Sequence, residues 1–296
     1  MTERIEAVQR MQDYIAAHLT EPITLEALAG AARFSPWHAA RMFREETGLT
    51  PASYIRRLRL SRSAFRLRDE GCSVLDVALD LGYGSVDGYQ RAFRQIFGVN
   101  PRQWAARPEP ISLFIPSGVK YRRPKEDDGM KDTEIIFTQV TQRPARKVII
   151  RRGRRAADYF AYCEELGCDV WGLLSSIRCL EGEPISMWLP EKYRLPGTSE
   201  YVQGAEVPLD WDGAVPDGFD VIRLPAARYL RFQGEPYPEG EYGQAIGRMW
   251  AALEGFDPGR FGLAWDADNP RIQLAPMGER GYIEYRAVKD KERRQA

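Results

Sequence analysis

The sequence predicts an α+β protein in two parts: an all-helical tandem helix-turn-helix unit, then a duplicated antiparallel α+β domain. Three observations predict it. A repeat at a spacing of 50 residues runs through the N-terminal part, and a looser repeat at a spacing of 81 runs through the C-terminal part. Between them, residues 108–132 hold four prolines and a charge cluster that interrupt the periodic patterns. The expected division is 1–107, a linker over 108–132, and 133–296. Two domains are also what 296 residues suggest, because one core rarely covers that length.

In the first repeat Phe43-Arg44, Gly48 and Pro51 recur as Phe93-Arg94, Gly98 and Pro101, while Ser35 recurs as Ser85 and Arg41 as Arg91. Tyr54 is replaced by Trp104. Each copy is a short apolar helix, a turn and a second helix. Thr24 is placed to cap the helix running through Leu28 and Ala31, its hydroxyl satisfying an orphan amide. Ser35-Pro36 supplies a cap and a proline that needs no amide partner, and Gly48 stops that helix after Thr47. Helical spacing puts Ala39, Met42 and Phe43 inside, and Trp37, Ala40, Arg41 and Arg44 outside. In the second copy Tyr89, Ala92, Phe93 and Ile96 fall inside; Asp87, Gln90, Arg91 and Arg94 fall outside. Pro51 to Glu70 reads as one connecting helix ending at Gly71, about 30 Å long at 1.5 Å per residue. That is close to the one-turn spacing of major-groove faces, ~34 Å. The connector's Arg56, Arg57, Arg59, Arg62, Arg66 and Arg68 either meet phosphates or form a solvated basic face.

The charge balance allows nucleic acid as a partner without demanding it. Residues 1–107 carry 15 Arg and no Lys against 12 acids, within a chain of zero formal net charge. No apolar run approaches the ~20 residues a membrane span needs, and MTERIEAVQRMQDY does not read as a signal peptide. The cytoplasm is therefore the expected compartment, with Cys72, Cys163, Cys168 and Cys179 as reduced thiols. With no CxxC pair and only His18 and His38, neither a metal site nor a cofactor is expected.

The runs SPWHAARMFREETGLTPASYIRRLRL and ALDLGYGSVDGYQRAFRQIFGVNPRQW resemble the DNA-binding domain of the AraC/XylS family, across residues 5–107. Within that family the chain is most similar to the MarA, SoxS and Rob activators. The resemblance implies a sequence-specific transcription regulator, an activator that binds double-stranded DNA and contacts RNA polymerase. It also implies base reading from the first recognition helix through a Trp, a Gln and an Arg. Those positions here are Trp37, Ala40 and Arg41, so a different base preference is expected where the glutamine is missing. A tandem reader occupies two grooves as a monomer, and a weak dimer is also compatible.

In the C-terminal part, PARKVI recurs as PAARYL 81 residues on, and Gly153 as Gly234. Each copy reads as a strand (Lys147–Arg151, then Arg228–Phe232) followed by a helix, Ala156–Leu166 and then Glu241–Glu254. GTSEYVQGAEVP, LPAARYLRFQGEP and GYIEYRAVK resemble the GyrI-like effector-binding domain. That resemblance implies a small-molecule effector, amphipathic and often cationic, bound against aromatic rings and a buried carboxylate. The candidate rings are Tyr159, Trp171, Trp188, Trp250 and Trp265, each with core packing as the alternative; Trp171 and Trp250 are expected to face a shared cleft. The strand that often carries the family's glutamate offers Gln273 and no acid. Glu206 and Glu284 can substitute, although both read as exposed strand positions. Two histidines, both N-terminal, leave no Ser/His/Asp or Cys/His constellation, so no catalytic residue is assigned and the chain is not expected to be an enzyme. A Glu-plus-Tyr hydrolytic pair and a protein-binding role for residues 133–296 remain as alternative readings.

Overall fold

The computed structural model describes residues 3–116, 135–167 and 169–291. The chain divides into two compact units, Met1–Pro124 and Lys125–Ala296.

Unit one is helical: α1 (Glu3–Ala17), α2 (Leu25–Ala32), α3 (Pro36–Thr47), α4 (Pro51–Phe65), α5 (Val74–Asp80), α6 (Val86–Phe97) and α7 (Pro101–Ala106). The expected cap forms at Thr24, which accepts from the Ala27 amide, and Ser85, the counterpart of Ser35, accepts from the Gly88 amide. Ser35 takes cap backbone geometry but makes no side-chain cap bond, so proline preorganisation starts α3 by itself. Helices α3 and α6 both end at a glycine in the left-handed region, Gly48 at φ 77° and Gly98 at φ 76°. The connector runs as α4 and widens into a π-helical turn over Arg66–Glu70 before Gly71.

Two cores share that connector. Tyr54 and Ile55 pack with Ile15, Leu28 and Phe43, whereas Leu60, Ala64 and Leu67 pack with Val77, Tyr89, Phe93 and Trp104. Ile96, expected inside, is 36% exposed. The packing of this unit continues past Arg107, into the segment expected to be linker. Ile111 and Leu113 are buried in the second core, and Phe114 sits edge-on to Tyr54 of the first at 5.0 Å. The Trp104 indole donates to the Glu109 carbonyl, and the Phe114 amide donates to Ser61. Residues 117–132 of the expected linker lie outside the described residues.

Unit two is a nine-stranded antiparallel sheet: β1 (Phe137–Arg143), β2 (Arg146–Arg152), β3 (Ile185–Trp188), β4 (Tyr201–Pro208), β5 (Asp220–Leu224), β6 (Ala227–Gln233), β7 (Leu263–Trp265), β8 (Arg271–Leu274) and β9 (Ile283–Asp290). The strand order is β1-β6-β9-β8-β3-β4-β2-β5, with β7 added beside β9. The helix expected over Ala156–Leu166 forms as α8 (Tyr159–Leu166) and stops at Gly167 with φ 82°; a further helix, α9 (Asp169–Ser176), follows it. The other helix is α10 (Tyr242–Glu254). Alternation sorts the side chains onto two faces. Val148, Ile150, Met187, Val202, Tyr229, Ile272 and Tyr285 form one cluster. On the opposite face Ile149, Tyr201 and Ala205 lie under α8 and α9, while Leu230, Phe232 and Val288 lie under α10.

Candidate nucleic-acid interface and ligand cleft

Helices α3 and α6 are twelve residues each and offset by 50 positions. Burying Ala39, Met42 and Phe43 turns Trp37, Arg41 and Arg44 to solvent, with Ala40 half-buried between them. Trp37 is 69% exposed, far more than a core tryptophan tolerates, so its ring is free to pack on a partner. In α6, buried Tyr89 and Phe93 turn Asp87, Arg91 and Arg94 outward and leave Gln90 half-buried. Arg41 is already engaged locally: its Nε lies 3.0 Å from Glu45 and its guanidinium 5.5 Å from the Trp37 ring. Among the described residues Arg44, Arg91 and Arg94 carry no salt bridge.

The connector arginines divide by role. Arg56, Arg57 and Arg62 are exposed. Arg59 donates to the carbonyls of Leu19 and Glu21. Arg66 pairs with Glu70 and Asp80, and Arg68 with Asp69. Arg59 and the Arg66–Asp80 pair tie separate elements of the unit together.

In unit two the strand register assembles a polar row on the helix-bearing face. Ser186 stands opposite Gln203 on one side and Gln273 on the other, and Gln273 stands opposite Glu284. Two residues along, Trp188 stands between Tyr201 and Arg271. From above, the Trp250 indole of α10 donates to Glu284 at 2.9 Å and meets Trp188 edge-on at 6.2 Å. Phe160 of α8 and Tyr242 of α10 approach to 6.3 Å over the same face.

Glu284 and Glu206 are both fully buried rather than exposed, because each faces a packed layer on a central strand. They lie on opposite faces. Glu206 is on the face opposite α8, α9 and α10, held by Arg143 and Arg146, with Arg143 4.7 Å from the Tyr285 ring. Glu284 is on the helix face and accepts from Tyr282, Trp250, Arg271 and Arg286. Burial, then the adjacent Glu284 charge, push the Tyr282 phenol well up, so it stays protonated as a donor. Glu284 of β9 thus stands directly beside Gln273 of β8.

Of the candidate ligand residues, the fold brings together Trp188, Trp250, Gln273 and Glu284. Tyr159 packs in the adjoining cluster beside Phe160. Trp265, 37% exposed, lies by Phe256 with Arg286 5.9 Å from its ring. Trp171, expected to face a shared cleft with Trp250, is half-buried on α9, and the ring that meets Trp250 is that of Trp188. Sequence reasoning missed Ser186, Gln203 and Arg271. Their signal was the polar residue recurring at alternate positions of apolar strands.

A family model described as a helix-turn-helix domain matches residues 28–107. Regulatory protein SoxS of Salmonella typhimurium is 33% identical over 102 residues, 34% of this chain and 95% of that protein. Right origin-binding protein of Escherichia coli K12 is 38% identical over 96 residues, 32% of this chain and 33% of that protein, so the match spans about a third of its length. A probable AraC family transcriptional regulator from Rhodopseudomonas palustris, a solved structure, is 28% identical, covers 35% of this chain and 98% of its own, and aligns with a TM-score of 0.33. No helix among the described residues is long and apolar enough to cross a membrane. With nearly the whole of SoxS matched and two recognition helices presented at a common spacing, this chain belongs to the AraC family of helix-turn-helix transcription regulators.

Proposed function

We propose that the chain activates transcription by reading two successive major grooves with α3 and α6, and that its C-terminal unit, a GyrI-like effector domain, adjusts this through an amphipathic small molecule. The observation that carries the DNA part is the matching placement of exposed Arg41 and Arg44 with Arg91 and Arg94, at an offset of 50, on helices sharing one connector. A monomer suffices for two grooves, and contact with RNA polymerase follows from the family reading. The effector part is supported by the row of polar groups beneath Trp188 and Trp250, and by a strand order that repeats outward from the central β3–β8 pair.

The test is selection of bound duplexes from a random pool with the full chain, then with Arg41→Ala and Arg91→Ala. Each variant is expected to relax preference at its own base pairs, about 10 bp apart, at ~1–3 kcal/mol per lost contact. Loss of the same positions by both variants, or no preference in the parent, refutes the reading. On the selected duplex, an effector must shift DNA affinity by the factor by which DNA shifts its own.

A further inference from the structure

We propose that Arg271 is an internal competitor in the Trp188–Trp250–Glu284 cage, holding the place that a flat organic cation would take there. The inference rests on the effector reading and adds what holds the site shut. The Arg271 guanidinium carbon lies 4.2 Å from the Trp188 ring centre and 4.6 Å from that of Trp250. Its Nη2 lies 2.7 Å from Glu284, which is wholly buried and also bonded by the Trp250 indole and the Tyr282 phenol. Two ring faces and a desolvated carboxylate are what a bound amidinium or guanidinium would require.

Arg271 fills the cage imperfectly. Its Nε is buried with no hydrogen-bond partner, and its side chain is 28% exposed. An open surface depression adjoins it, with Asp266 and Asn269 in its lining, giving the displaced side chain access to solvent and an acid to face. Glu284 is too buried to be left with fewer cations at no cost, so the cage exchanges one cation for another instead of emptying. Neutral molecules cannot make that exchange. Selectivity for positive charge therefore comes from competition with the protein's own arginine.

The experiment titrates benzamidine, a flat amidinium, into the full chain by calorimetry. Arg271→Ala is expected to bind it about tenfold tighter than the parent, or more, and Arg271→Ala/Glu284→Gln to lose that gain. Neutral benzamide should show no gain. Equal benzamidine affinity in parent and Arg271→Ala overturns the proposal, as does a gain that survives loss of the Glu284 charge. If Arg271→Ala lacks a native melt, Arg271→Met keeps the stem volume and is judged by the same outcomes. Affinity for the selected duplex separates the two readings. Tighter benzamidine binding with unchanged DNA affinity sinks the effector reading and leaves the role of Arg271 intact. A DNA response to another small molecule, with no gain in Arg271→Ala, sinks only the role of Arg271.

Discussion

Leu113→Ala tests whether the segment after α7 belongs to the helical core. Leu113 is 4% exposed and packs in the cluster of Leu60, Leu67, Phe93 and Trp104, so truncation leaves a cavity among well-packed neighbours. Leucine-to-alanine changes at such sites cost ~2–5 kcal/mol. Partial collapse is open to a strap lying at the edge of the core, which places the expectation at the lower end, about 2–3 kcal/mol. For a helical unit of this size that corresponds to a fall in melting midpoint of roughly 10 °C or more. Ile115, two residues on and 39% exposed, is the internal control; Ile115→Ala should cost under about 1 kcal/mol. Thermal melts followed by far-ultraviolet circular dichroism on the full chain read both. A fragment ending at Pro116 should likewise melt above one ending at Arg107, which lacks the Glu109 and Phe114 hydrogen bonds as well. If Leu113→Ala costs no more than Ile115→Ala, the strap is a solvated linker and the second core ends at Trp104.

The connector arginines should separate by role in salt titrations. Arg56→Ala, Arg57→Ala and Arg62→Ala should each reduce the salt dependence of DNA binding by about one unit of slope where the side chain meets a phosphate, whereas Arg59→Ala should lower the melting point and spare the slope. An unchanged slope in all three exposed variants would leave them a solvated face. Glu206→Ala should destabilise unit two by ~3–5 kcal/mol, because it leaves Arg146 buried without its carboxylate and Arg143 with Glu181 alone. A cost below ~1 kcal/mol, read by denaturant melts, would mean that water reaches those guanidinium groups.

The tandem repeat, its recognition helices and their stop signals were legible because each rests on local physics. A proline at the first helical position, a glycine able to take positive φ and a 3.6-residue apolar period act within one or two turns of chain. The outward faces followed from the same period, which is why Trp37, Arg41, Arg44, Asp87, Arg91 and Arg94 emerge exposed as expected. Ile96 failed that rule because the second helix buries a narrower stripe, Tyr89 and Phe93 alone. Ile111, Leu113 and Phe114 looked like linker because prolines surround them and no period marks three apolar residues that reach back across two cores. In the C-terminal unit, alternation assigns each residue a face but does not say which strands become neighbours. Only the pairing of β8 with β9 and of β8 with β3 puts Glu284 beside Gln273 and Arg271 beside Trp188. Glutamates 206 and 284 look alike in a strand pattern. Their opposite faces, and the arginines that neutralise each, were decided by contacts between residues 60 and more positions apart for Glu206, and 13 apart across β8 and β9 for Glu284.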